Sequence, residues 1–153
     1  INEALTFSVT KGYDSVSEGH TSVGARLGFA INSWQVIKKN PIIGIGTGDF
    51  PIEYNKINKI NSPKMPYASN PHNMYILILM QLGFIGLASM LAIFYYQIKL
   101  SFNSPSKFIQ DVGITLPLLF LVMMLSDSYL LGHYTTLMFV FFSSFLYKDF
   151  EKN

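Results

Sequence analysis

Between Met74 and Ile98 the chain runs for 25 residues without a charged side chain. At about 1.5 Å per residue, a helix of that length crosses a hydrocarbon core of roughly 30 Å. The run therefore predicts a transmembrane span. Tyr75 at one end and Tyr95 and Tyr96 at the other fit an aromatic belt at the two interfaces. Gly83 and Gly86 would let a neighbouring helix approach closely.

Charge divides the chain at about His72. Residues 1–73 hold twelve of the twenty charged side chains, and 74–153 consist mainly of long apolar runs. Only 13% of all residues are charged, against about a quarter in soluble domains, which argues against a soluble all-α domain. Residues 112–147 are apolar but broken by Asp127, Gly132 and His133, which suits two spans joined by a tight turn around SDSYLLGHY. The expected architecture is all-α and integral to the membrane. About three transmembrane helices, 74–98, 112–127 and 132–147, follow a large extracytoplasmic loop, 1–73. The polar stretch KLSFNSPSKFIQD, with Lys99 and Lys107, reads as a cytoplasmic loop that shares a side with Lys148 and Lys152. The chain opens on Ile1 with no basic segment leading into an apolar core, so it reads as the C-terminal part of a longer protein.

Within the outer segment, SVGARLGFAINSWQVIKKNP predicts an amphipathic helix over about 22–39. Ser22 is placed as its N-cap, Pro41 follows its end, and Val23, Leu27, Ala30, Trp34 and Ile37 form its apolar stripe. Arg26 falls about 60° off that stripe, at an edge from which a guanidinium reaches a headgroup. Residues 51–71, with Pro63, Pro66 and Pro71 among many Asn and Lys, read as loop.

Several functions lack sequence support. There is no cysteine, hence no disulfide or thiolate chemistry. The net charge is +2, and the basic residues do not gather as a nucleic-acid surface would require. Three unpatterned histidines make no metal site, and His20 reads as a solvated loop residue. In NPIIGIGTGDF, Gly44, Gly46 and Gly48 either close a tight turn or cradle an anion on successive amides. His72-Asn73, at the mouth of the first span, is either a helix-capping pair or places an interfacial histidine that serves as general base or headgroup contact. Asp127 and His133 are either turn residues or intramembrane functional groups.

SVGARLGFAINSWQVIKKNPIIGIGTGDF followed by PHNMYILILMQLGFIGL resembles the C-terminal signature of the O-antigen ligase and O-antigen polymerase superfamily. The resemblance covers about residues 20–100 and rests on Arg26, Trp34, Asn40-Pro41, the glycine run, His72-Asn73, Leu82-Gly83 and Gly86. It implies a helical membrane glycosyltransferase of the bacterial inner membrane, with its active loop facing the periplasm. Such an enzyme moves a glycan from undecaprenyl diphosphate to an acceptor hydroxyl without a cofactor or metal and with inversion. O-antigen ligation to lipid A-core is the leading expectation. Polymerisation or protein O-glycosylation are alternatives in the same superfamily, and a non-catalytic transporter or lipid-headgroup binder is the alternative of another class. Under the resemblance Arg26 binds the diphosphate and His72 acts in catalysis. Asn73, Gly46, Gly48, Trp34 and Asp127 are the further substrate-binding candidates.

Overall fold

The computed structural model describes residues 22–63 and 65–147. Among them there are five α-helices and no strand: α1 Ser22–Ile37, α2 Phe50–Asn61, α3 Met74–Phe102, α4 Lys107–Met123 and α5 His133–Tyr147. A short 3-10 turn, Tyr129–Leu131, lies just before α5. His20 and Lys148 to Lys152 lie outside the described residues, as does the rest of 1–21.

Among the described residues α3 is the one helix both long and apolar enough to cross a membrane. Its most apolar stretch is only 28% buried within the chain, whereas the core helix of a soluble protein would be mostly covered. Phe84, Ile85, Ile93 and Tyr96 instead stand outward. The helices α4 and α5, of 17 and 15 residues, are shorter and pack beside it, also with exposed apolar side chains.

The polar connection between α3 and α4 is much shorter than the sequence suggests. α3 continues through Lys99 to Phe102 and α4 begins at Lys107. Helix-forming interactions recruit the polar residues: Lys107 pairs with Asp111 one turn on, at 2.8 Å, and Gln110 Nε2 donates back to the Ser104 carbonyl at 2.8 Å. Gln97 reaches Ser143 of α5 (3.1 Å), and Tyr147 Oη donates to the Gly113 carbonyl of α4 (2.7 Å). These bonds fasten the three helices at the end remote from His72.

Residues 51–71 are not all loop, since α2 occupies the first half. Pro51 sits in the first helical turn, where its missing N–H costs nothing. Glu53 and Lys59 lie at the ends that suit the helix dipole. Phe50 and Tyr54 stack at 5.1 Å and are fully buried. The asparagines that made the segment read as loop are partners instead. Asn61 Nδ2 donates to Asn32 Oδ1 of α1 (2.9 Å), and Asn55 exchanges bonds with the backbone of Ala68 (2.7 and 3.0 Å).

That asparagine contact also sets the rotation of α1. Its buried face runs through Gly24, Gly28, Asn32 and Val36, every fourth residue, and takes in Ile37 of the expected apolar stripe, while Leu27, Ala30 and Trp34 of that stripe are turned away from the core. Trp34 is 48% exposed, and Leu27 and Ala30 are partly exposed. These three side chains face grooves beside α3 instead.

At Gly83 the helix α3 breaks, with φ +64° and ψ −162°. The segment that approaches there is a loop and not the neighbouring helix expected from Gly83 and Gly86. Phe84 N donates to the Pro41 carbonyl (2.8 Å) and Ile85 N to Ile42 (3.2 Å), while Ile45 N donates to Met80 (2.8 Å) and Gly46 N to Gln81 (3.0 Å). Four backbone bonds thus satisfy the groups that the kink frees. Gly44 and Gly83 permit the contact: a Cβ on either would lie within 2.4 Å of the opposing backbone.

Candidate functional site

His72 stands just before α3, in the left-handed region with φ +52°, a conformation unusual for a residue with a side chain. The local sequence holds it there. Asn70, ahead of Pro71, accepts the His72 backbone N–H at 3.0 Å, as Asx turns do. The same Asn70 oxygen accepts Ser128 Oγ at 2.7 Å, tying this loop to the one that follows α4. Asn73 then caps α3, its side-chain oxygen accepting Ile76 N at 3.0 Å, while its amide donates to the Leu125 carbonyl at 3.0 Å. Met74 N to the Met124 carbonyl (3.0 Å) and Tyr75 Oη to the Leu121 carbonyl (2.7 Å) complete the clasp.

The clasp brings Asp127 to His72, with Oδ1 at 3.2 Å from Nδ1. Oδ1 also accepts Ser128 N at 2.7 Å. An ionised carboxylate only accepts, so Nδ1 carries the proton and a neutral ring keeps its lone pair on Nε2. Both side chains are about half exposed, and an ion pair so wet adds little stability. Its consequence is orientation. From the other side the Phe29 ring of α1 lies against the imidazole, centroids 5.9 Å apart.

One α-helical turn before Phe29, Arg26 lines the same cavity as His72. That cavity is about 290 Å³ and is walled also by Leu27, Ala30, Asn73, Ile76 and Leu125. Arg26 is exposed and makes no ion pair with any described residue, so its charge is free for an incoming anion. A second, apolar groove of about 440 Å³ adjoins it and shares Ala30 and Ile76. Ile31, Trp34 and Leu79 line it further along. From Asn73 to Leu79 the two extend about 9 Å down α3.

Of the residues singled out from sequence, Arg26, His72 and Asn73 meet in one cavity, Asp127 touches His72, and Trp34 lines the adjoining groove. Gly46 and Gly48 are not among the residues lining it. The amides of Gly44 and Gly46 are bonded within the protein, and a side chain on Gly48 would meet open space. His133, the first residue of α5, is exposed and lines neither this cavity nor the groove. Sequence reasoning missed Asn70, Ser128 and Phe29. The Asn-Pro step at 70–71 was the one available signal, because it favours a turn. Among the described residues no three histidine or acidic side chains gather as metal ligands.

Compared with models of protein families, residues 3–91 match one described as O-antigen ligase. The matched stretch contains Arg26 and His72 and ends before Asp127. No curated protein and no solved structure matches the chain.

Proposed function

Because the chain belongs to the O-antigen ligase family, we propose that it is the C-terminal part of an inner-membrane glycosyltransferase that moves a glycan from undecaprenyl diphosphate to an acceptor hydroxyl, with lipid A-core as the acceptor. The observation that carries this reading is a free guanidinium and an oriented imidazole on one cavity, at the mouth of a membrane-length helix. In this reading residues 1–73 and the Asp127 turn face the periplasm, and α4 and α5 accompany α3 through the bilayer.

The polarity of the site suits an amphiphilic donor. Arg26 offers its planar fork to the diphosphate oxygens. The apolar groove of Ala30, Trp34, Ile76 and Leu79 then takes the first isoprene units in the direction of the bilayer. As the sugar–phosphate bond breaks, negative charge grows on the diphosphate, and a cation fixed beside it favours the transition state over the ground state. His72 Nε2 takes the proton of the attacking hydroxyl while Asp127 holds the ring and stabilises the imidazolium. This scheme asks for no metal ion, because Arg26 supplies the positive charge, and a single displacement inverts the anomeric carbon. Asn73 has most of its bonding capacity committed to the helix cap and to Leu125, so its role is to place His72. Gly46 and Gly48 take no part.

The test uses the full-length protein, a lipid-linked glycan and lipid A-core. Arg26→Ala and His72→Ala each lose at least about 100-fold in transfer, the scale of one acid–base or electrostatic contribution, with membrane insertion unchanged. Near-normal transfer by both variants would overturn the assignment, and wild-type protein that binds the donor yet forms no product would favour a headgroup binder. Extension of the glycan in place of attachment to lipid A-core would identify a polymerase.

A further inference from the structure

The His72–Asp127 contact stands between two cavities. His72 lines the one that holds Arg26, and Asp127 lines another of about 370 Å³ together with Asn70, Ser128, Tyr129, Gly132 and Thr135. The two share no lining residue, and the second falls within the size range of ligand sites, roughly 300–1,000 Å³. No basic side chain lines it, and the Asp127 carboxylate on its wall would repel a phosphate. Its bonding capacity is of another kind. Asp127 commits Oδ1 to His72 and Ser128, and Asn70 commits its oxygen to His72 N and Ser128 Oγ. The second carboxylate oxygen of Asp127 and the amide group of Asn70 have no partner among the described residues. An acceptor for hydroxyl protons and a donor to hydroxyl oxygens, in a cavity that Tyr129 also lines, form a set suited to a neutral sugar.

We propose that this second cavity seats the acceptor sugar, an inference that rests on the transfer reading above. With the donor diphosphate at Arg26 and the acceptor ring beside Asp127, the attacking hydroxyl reaches past the His72–Asp127 pair into the first cavity, which His72 lines, and meets Nε2 there. The acceptor oxygen bonds to the anomeric carbon as the carbon–oxygen bond to the diphosphate breaks. The electron pair of that bond leaves on the diphosphate beside Arg26, and the hydroxyl proton passes to His72 Nε2.

Two variants test the cavity without touching the donor site: Tyr129→Ala removes a wall, and Gly132→Phe fills the space. Gly132 has an ordinary φ of −75° that any residue adopts, and a Cβ there would lie 2.8 Å from the Thr135 hydroxyl, so the Thr135 side chain must turn aside to admit the new ring. Full-length protein is assayed with a labelled lipid-diphosphate glycan as donor and lipid A-core oligosaccharide as acceptor. Each variant is expected to raise the acceptor KM about tenfold, the equivalent of about 1.4 kcal/mol, with the donor KM unchanged, which also shows that the donor site is folded. An acceptor KM within about twofold of wild type in both variants, or a donor KM that rises in step, would overturn the proposal while leaving the transfer reading intact. Absence of any transfer by the wild-type protein would remove that reading, and this one with it.

Discussion

Replacing Gly83 by alanine attacks the joint between residues 41–46 and α3. At φ +64° and ψ −162° the backbone occupies a region almost reserved for glycine, and a side chain there costs about 1–3 kcal/mol. The added Cβ would also lie 2.2 Å from the Ile42 carbonyl oxygen, so loop and helix must part. Parting loses the bonds from Phe84 N to Pro41 and from Ile85 N to Ile42, about 1 kcal/mol each. The sum is about 3–5 kcal/mol, measurable as a loss of unfolding free energy in detergent on the full-length protein. Gly48→Ala is the control: φ is +86° but the side chain would enter open space, so conformational strain alone applies and the cost stays near 1 kcal/mol. A Gly83→Ala loss below about 1 kcal/mol, or one no larger than that of Gly48→Ala, would refute the idea that loop contact requires the kink.

Trp34→Ala is expected to raise the KM for a long polyprenyl donor several-fold but to leave that of a water-soluble short-chain donor unchanged, since only the long tail reaches the groove. Kinetics with the two donors in parallel checks this, and equal effects on both would remove the tail from that groove. Asp127→Asn is expected to lower kcat about tenfold or more with donor KM nearly constant, because an amide holds the imidazole less well and cannot balance its positive charge. Partial rescue by Asp127→Glu would mark a positioning role, and a kcat at the wild-type level in Asp127→Asn would exclude one.

The helix α3, long and apolar enough to cross a membrane, was legible because a long uncharged run has no local rule competing with it. Arg26 and His72 were singled out through the resemblance and through their chemistry, and the fold sets them on one cavity. What stayed hidden was set by tertiary contacts. α2 read as loop because asparagine has a weak helix preference in isolation, whereas here Asn55, Asn58 and Asn61 find partners on Asn32, Ala68 and Pro66. The buried face of α1 was hidden too, since it is set by the Asn32 bond to α2, which leaves the Leu27–Ala30–Trp34 side facing the grooves. Asp127 was noticed as an isolated charge. Its pairing with a histidine 55 residues earlier has no periodic signature that a single sequence could carry.

In the proposed scheme Arg26 and His72, which line one cavity, hold different duties, and separating binding from turnover distinguishes them. Binding of undecaprenyl diphosphate to full-length wild type, Arg26→Gln and His72→Ala is measured by titration, alongside single-turnover transfer of a lipid-linked glycan. Arg26→Gln is expected to weaken binding at least about tenfold, whereas His72→Ala binds as wild type does and fails to transfer. Wild-type binding by Arg26→Gln together with normal single-turnover transfer by His72→Ala would contradict a diphosphate-gripping guanidinium beside a catalytic imidazole.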